Sequence, residues 1–303
     1  MYFFNHRMIN FKPLNIDDAH LVQPLLWEAE ERGAEYSFTN ALVWGGFYKM
    51  EYAIVGNFLL SHSKANPCTY VYPRGKGDLK PVIDCLIQDA ADRGGVLTLR
   101  GLSKTAKDEL ERLFPGKFNY TSLRDAADYI YTVKDLSELA GRKFQPKRNL
   151  ISRFMKTYNW RYEAITAGNI EECIAMSREW CRLNCCEENC SKEMENSAAI
   201  QMLNYFLALN LKGGLLRVDG KVIAFSLGEP LNNDTFIVHV EKAFTEYQGA
   251  YQMINQQFIR HNAVDFVYIN REDDAGDLGL RKAKESYHPV FMQEKYLAMN
   301  NEQ

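Results

Sequence analysis

Val264-Asp265-Phe266-Val267-Tyr268-Ile269, running into Asn270-Arg271-Glu272-Asp273-Asp274-Ala275-Gly276-Asp277-Leu278-Gly279-Leu280-Arg281-Lys282-Ala283-Lys284, is where the fold can be read. The first run alternates apolar and polar residues and is rich in β-branched and aromatic types, which predicts a strand over 264–269. The second turns into a charge-dense loop and then a helix. Asp277 is placed to cap that helix, and Arg281 and Lys284 project from its first turns. Gly276 and Gly279 allow a positive φ or a close backbone approach. A strand end, a loop and a helix N-terminus can together hold a reactant; the same spacing also serves a solvated, well-capped connection.

Working upstream, Thr235 to Ala243 predicts the preceding strand, and Glu246-Tyr247-Gln248-Gly249-Ala250-Tyr251 leads from it into a helix over 251–261. Unpaired amides at that helix start suit an anionic group. Gly214 to Val218 and Lys221 to Gly228 flank Asp219-Gly220, a hairpin signal with apolar arms. Before them come a strand over 160–165 and helices over 170–184 and 198–211. Thus 160–303 is expected to form one domain.

The stretch 136–161 carries Arg142, Lys143, Lys147, Arg148, Arg153, Lys156 and Arg161 among Phe144, Leu150, Ile151, Phe154 and Tyr158. Pro146 sits near the N1 position of a predicted helix whose apolar residues can pack inward while Lys147, Arg148 and Arg153 face an anion or solvent. A short helix ending at Gly141 precedes it, so 141–159 is expected to be a basic bridge. Residues 1–140 predict a mixed α/β domain. Its elements are a helix from Asp17 or Asp18, a hairpin over 52–61, a strand from Cys68 to Pro73, a helix over 79–91, a strand over 96–100, a helix over 104–114 and a strand over 128–132.

At 303 residues, with 46% hydrophobic and 25% charged residues, the composition is that of a two-domain globular chain. A formal net charge of -3 excludes a wholly basic surface and leaves only a local patch for a polyanion. No apolar run approaches the roughly 20 residues that span a bilayer, and no secretory signal opens the chain, so the cytoplasm is the expected location. Seven cysteines, an odd number, suit a reducing compartment. Cys181, Cys185, Cys186 and Cys190 cluster, but no second Cys/His pair with zinc spacing accompanies them; buried free thiols are expected, and no metal site.

The order of elements in the second half resembles the Gcn5-related N-acetyltransferase (GNAT) fold. The segments Phe144 to Phe154, Gly213-Gly214, His239-Val240-Glu241-Lys242-Ala243 and Glu272 to Pro289 are together similar to the family of the C-terminal catalytic domain of phosphatidylglycerol lysyltransferase. Ser37-Phe38-Thr39-Asn40 and Asp128-Tyr129-Ile130-Tyr131 extend the resemblance to nearly the whole chain. It implies an α/β (α+β) architecture of two tandem GNAT-like domains, each a mixed, mostly antiparallel sheet flanked by helices, as in Fem-type peptidyltransferases. The chain shows no counterpart of the membrane-spanning half that full-length lysyltransferases carry. Its glycine loop also departs from the GNAT pyrophosphate pattern Gln/Arg-x-x-Gly-x-Gly/Ala by starting with Glu246 and lacking the last small residue, which weakens the expectation of acyl-CoA.

The implied chemistry is transfer of an aminoacyl or acyl group from an activated ester, aminoacyl-tRNA or acyl-CoA, to an amine or hydroxyl of a small molecule or lipid headgroup. No tightly bound cofactor is expected. Asp273, Asp274, Asp277 and Arg281 are the candidate catalytic residues. Gln248, Gly249, Ala250, Lys147 and Arg148 are candidates for holding the donor, and Lys284, Tyr287, Glu195 and Arg153 for holding substrate. Ser286 is placed to line the same cleft or to begin the final strand. For each acid, a helix cap or surface ion pair is the plain alternative, and His239, inside an apolar strand, reads as a satisfied core histidine. The rival for the whole chain is a noncatalytic binding or regulatory module that keeps the fold.

Overall fold

The computed structural model describes residues 9–184 and 191–301, and the chain divides into two compact units. The first comprises Met1–Asp128, Asp273–Gly276 and Met292–Gln303. Its elements in chain order are α1 (Ala19–Glu28), α2 (Phe38–Phe47), β1 (Met50–Val55), β2 (Phe58–Ser63), β3 (Asn66–Gly75), α3 (Lys80–Asp92), β4 (Thr98–Leu102), α4 (Lys104–Leu113) and β5 (Phe118–Ser122), closed by the last strand of the chain, β13 (Tyr296–Asn300). Among the described residues the sheet order is β1-β2-β3-β4-β13-β5, antiparallel except for the β3/β4 pair.

The core of this unit follows from helical periodicity. Val82, Ile83, Leu86 and Ala90 form one face of α3 and are buried with Leu97, Leu99 and Leu102 and with Tyr70 and Tyr72 of β3. Ser37 and Ser103 cap α2 and α4 by accepting the amides of Asn40 and Ala106. The returning strand β13 fills the gap between β4 and β5, pairing Ala298 with Leu99 on one side and Tyr120 on the other. This C-terminal return is beyond what local patterning announces, because a strand's partner is set by packing at long range.

The second unit comprises Tyr129–Glu272 and Asp277–Phe291. Its elements are β6 (Asp128–Thr132), α5 (Val133–Glu138), α6 (Gln145–Thr157), β7 (Trp160–Ala164), α7 (Ile170–Asn184), α8 (Ser191–Asn204), β8 (Lys212–Val218), β9 (Lys221–Pro230), β10 (Thr235–Ala243), α9 (Ala250–Asn262), β11 (Tyr268–Asn270), α10 (Leu278–Glu285) and β12 (Phe291–Gln293). The sheet order is β12-β6-β11-β10-β9-β8-β7. The β8/β9 hairpin closes through Asp219 (φ 47°) and Gly220 (φ 87°), the two positive φ values that a type I′ turn demands. Helix α9 buries Met253, Ile254, Phe258 and Ile259, with the Phe258 ring edge-on to Phe236 at 5.8 Å. At Gly214 an added Cβ would lie 2.0 Å from the Tyr162 hydroxyl oxygen, so glycine there makes room for the Tyr162 ring to lie across β8.

Both sheets are mixed and mostly antiparallel with helices alongside, the α+β form of two tandem GNAT-like lobes. The basic helix α6 lies within the second unit. Three predicted elements shift. The strand expected over 264–269 begins only at Tyr268; Val264 and Val267 are 60% and 54% exposed and belong to a turn whose amides at Val267 and Tyr268 donate to Asp234. Alternation alone could not distinguish that turn from a strand. The helix expected over 198–211 is α8, which runs from Ser191 to Asn204. The short helix before Gly141 is α5, ended by Leu139 in the left-handed region (φ 51°).

Candidate functional site

The second unit's sheet opens where β10 and β11 part. These parallel strands pair only from Thr235↔Tyr268 to Ile237↔Asn270. Beyond that point β10 bulges against β9 between Val238 and Val240, at His239. The chain after β11 turns to β6 instead, with Arg271 N donating to Tyr129 O and Tyr129 N to Glu272 O. Glu272 takes φ 56°, an uncommon conformation for this residue type, and its amide donates to the buried Asn270 side chain at 2.6 Å. His239 pins the opening from the β10 side: Nδ1 lies 2.8 Å from Glu272 and Nε2 3.1 Å from Glu229. Burial alone would pull its pKa down, but the hydrogen bonds to Glu229 and Glu272 outweigh it and raise the value to about 9. Both ring nitrogens lie within hydrogen-bond distance of a carboxylate, consistent with the satisfied core histidine expected from its strand.

The polar centre at this opening is Arg271. Its Nη2 donates to Glu241 at 3.0 Å, and Glu241 also accepts from Asn255 Nδ2 at 2.8 Å. The guanidinium sits 4.9 Å from the Tyr287 ring centroid and 5.7 Å from that of Tyr131. Arg271 Nη1 and Asn255 Oδ1 are buried and have no hydrogen-bond partner. One lone donor and one lone acceptor thus flank the same carboxylate, at a cost that a ligand can relieve.

Lys147, from the first turn of α6, approaches the same Tyr287 ring at 4.1 Å and donates to Ser286 Oγ at 2.6 Å. Burial first, and then the charge of Arg271, hold its ammonium below the ordinary lysine range. Tyr287 is itself buried, which pushes its phenol up and keeps it neutral. A third cation, Lys242, is 1% exposed, lies 3.6 Å from the Trp180 ring centroid and donates to Glu195 at 3.0 Å; Trp180 Nε1 in turn donates to the Tyr251 hydroxyl at 3.1 Å.

The residues singled out in sequence fall into distinct settings. Lys147 and Tyr287 join Arg271, while Glu195 holds Lys242. Lys284 is buried, and its ammonium donates to the carbonyls of Arg271 and Glu272, fixing the loop that carries them. Asp277 caps α10, accepting from Leu280 N at 2.7 Å, and Arg281 is half-buried on that helix. Asp273 and Asp274 belong to the first unit, where Asp273 accepts from Ala275 N and the fully buried Asp274 accepts from Gly276 N and Arg124. Arg148 donates to the carbonyls of Leu139 and Gly141, closing the end of α5, and Arg153 donates to Gln248 at 2.9 Å.

At the glycine loop, Gly249 has φ 93°, and a Cβ on it would meet the Leu150 carbonyl oxygen at 2.5 Å; the Ala250 amide already donates to Tyr247 O. Helix α6 therefore packs closely against this turn. Of the cysteine cluster, Cys181 is half-buried and Cys185, Cys186 and Cys190 lie outside the described residues. Among the described residues no three metal-ligating side chains gather, and no helix is long and apolar enough to cross a membrane.

Arg271, Glu241 and Asn255 are the polar residues that sequence reasoning passed over. Arg271 and Glu241 lay inside motifs quoted for other members, and Asn255 lay on a helix read only for its start. What marks them is burial combined with unmet hydrogen bonds, which no spacing reports.

With this geometry in place, residues 28–299 match the family model described as phosphatidylglycerol lysyltransferase, C-terminal. The chain belongs to this family. A conserved protein of unknown function from Bacteroides thetaiotaomicron is 41% identical, with a TM-score of 0.92 over 97% of this chain and 100% of that one. The structure of L-PGS from Bacillus licheniformis shares the fold at 16% identity, with a TM-score of 0.66 over 98% of this chain and 95% of that chain. An uncharacterized protein of Mycoplasmoides gallisepticum is 24% identical over 176 residues, 57% of this chain, and the match covers only 56% of that relative's length. Family membership and the tandem GNAT-like architecture agree with the resemblance drawn from sequence.

Proposed function

We propose that the second unit transfers an aminoacyl group from an activated ester, with aminoacyl-tRNA as the donor, to an amine or hydroxyl of a small molecule or lipid headgroup. The observation that carries this reading is the buried, unpartnered Nη1 of Arg271, whose guanidinium and the Lys147 ammonium both lie against the Tyr287 ring. Attack on an ester places negative charge on the carbonyl oxygen, and a fixed, desolvated donor stabilises that charge without reorganising. Asn255 Oδ1, the matching lone acceptor, suits an ammonium or hydroxyl of the substrate. The donor ester is already activated, so holding partners in line supplies much of the rate. Asp277 contributes by capping α10, the helix that bears Arg281 and ends on Ser286 and Tyr287.

The glycine loop favours aminoacyl-tRNA over acyl-CoA. A pyrophosphate bound in the GNAT manner needs the amides around Gly249, but Ala250 N is already hydrogen-bonded to Tyr247 O, and the Leu150 carbonyl packs against Gly249. The exposed Arg153 and its basic neighbours on α6 suit a polyanionic donor. The likeness to L-PGS from Bacillus licheniformis and the family to which the chain belongs point in the same direction. The same occupied loop also favours the rival, a noncatalytic module that keeps the fold, so the test must measure turnover.

Radiolabelled aminoacyl-tRNA is to be incubated with the protein and a panel of acceptors, among them phosphatidylglycerol vesicles, glycerol phosphates and simple amines. The expected result is transfer of label to one acceptor class, weakening steeply as salt rises because phosphate contacts release counterions. Acetyl-CoA and longer acyl-CoAs are expected to give neither transfer nor thermal stabilisation. Label that stays on tRNA with every acceptor, while the protein still binds a donor, would establish the noncatalytic reading instead.

A further inference from the structure

We propose that Lys147 and Ser286 form a nucleophile pair, in which the Ser286 hydroxyl takes the acyl group from the donor ester before the acceptor receives it. The pair's geometry is complete in the second unit. Lys147 Nζ lies 2.6 Å from Ser286 Oγ, and its other contact is the face of Tyr287; among the described residues no carboxylate pairs with it. A lysine tied to a carboxylate is locked as a cation, whereas one held by a hydroxyl and a ring beside a second cation can give up its proton. Burial and then the Arg271 charge act in that direction here and outweigh the opposing charge of Glu241.

Ser286 is at the end of α10 and half-buried, so the hydroxyl is reachable. In the resting arrangement Oγ donates to Ala283 O at 2.6 Å and accepts from Lys147. Once Lys147 is neutral, its lone pair becomes the alternative destination for that proton. Tyr287, the next residue, carries the ring that both Lys147 and Arg271 face, so the lone Nη1 donor belongs to the same constellation as the nucleophile. A hydroxyl and a base are thus in contact, with a guanidinium on the ring of the next residue, and these are the groups that covalent acyl transfer requires.

The steps balance. As Oγ bonds to the acyl carbon, the hydroxyl proton passes to Lys147 Nζ. Collapse of the tetrahedral adduct breaks the bond to the donor's alcohol oxygen, which leaves with that proton. The acceptor then attacks the serine ester, and its proton returns through Lys147 to Ser286 Oγ as the acceptor–acyl bond forms. The inference rests on the acyl-transfer reading for the identity of the acyl group, but the nucleophile can be tested without it.

The full chain is to be treated with a fluorophosphonate probe, which forms an oxygen–phosphorus bond to an activated serine and releases fluoride, and the adduct mapped by peptide mass spectrometry from pH 6 to 9.5. The expected result is an adduct on Ser286 whose rate rises with pH and which S286A lacks. K147A and K147R, each checked for native near-UV circular dichroism, are expected to slow labelling at least about 100-fold, the lower range for loss of a general base. K147R keeps the cation, so a Lys147 that only binds anions or only supports the fold would leave labelling near the wild-type rate. That result, or no Ser286 adduct, overturns the pair. Aminoacyl transfer without Ser286 labelling leaves the function reading standing and removes this inference. Labelling without transfer from any donor does the reverse.

Discussion

Each unit buries a cation among carboxylates, and the two clusters differ in completeness. In the first unit Lys295 donates to Asp128 at 2.7 Å and to Glu35 at 2.8 Å, and the second Asp128 oxygen accepts from Ala34 N at 2.7 Å. Although burial opposes the charge, Asp128 and then Glu35 more than restore it, so the Lys295 pKa is raised. In the second unit Arg271 satisfies Glu241 and leaves Nη1 and Asn255 Oδ1 with nothing to bond. A closed network fixes a fold; an open one keeps valences for something that arrives. The comparison separates a structural charge cluster from a candidate site more sharply than charge density does, since both clusters set a cation against carboxylate, and the second is the slightly more exposed one, with Arg271 and Glu241 side chains 11% and 12% exposed.

The largest effect expected from breaking this comparison is in the closed cluster. Replacing Lys295 by Met leaves two carboxylates buried together, and loss of one partner from a buried ion pair costs about 3–5 kcal/mol. Urea unfolding followed by intrinsic fluorescence should show a loss of that order. A cost below about 1 kcal/mol would mean that the cluster is not the structural staple its bonding suggests.

His239 gives the next effect, and its sign follows from the raised pKa. With a folded value of about 9 against an ordinary 6.5, its stabilisation is fully present below pH 6.5 and is lost as pH rises through 9. The size is on the order of 3 kcal/mol. H239Q should therefore lie well below the wild type at pH 6, and the two unfolding curves should converge by pH 10. A gap independent of pH would show that the imidazole is held neutral.

Arg271 sharpens the open side. R271K keeps a positive charge beside Glu241 but loses the second arm of the guanidinium, so stability should change by less than about 1 kcal/mol while kcat/KM for transfer falls at least about 100-fold, as for removal of one oxyanion donor. Equal losses in stability and in turnover would demote Arg271 to a structural role.

How far the sequence carried varies by element. The Asp219-Gly220 hairpin, the Pro146 helix and the Asp277 cap were legible because each depends on local chemistry, namely a positive φ, an unused amide and a side-chain acceptor. The return of β13 into the first sheet and the late start of β11 were not, since both are decided by distant partners. At the candidate site, Lys147 was singled out as a donor contact and Tyr287 as a cleft residue, and both lie beside Arg271. Arg271 was visible but unassigned, because what distinguishes it from Arg281 ten residues later is burial between two tyrosines, and no local pattern records that.

The smallest expected effect tests that last distinction from the other side. Asp277 is exposed and accepts the Leu280 amide at the start of α10. D277A should cost about 1 kcal/mol, the usual loss for an N-cap, whereas D277N, which preserves an acceptor of the same shape, should cost only a few tenths. If the carboxylate acts only as a cap, both variants keep transfer within about twofold, because α10 is also anchored through Lys284 and through the bond from Tyr131 to the Lys284 carbonyl. If D277N instead loses turnover while keeping the wild-type unfolding midpoint, the charge itself acts in the reaction, and the chemistry extends from the Arg271 cluster along the loop to the N-terminus of α10.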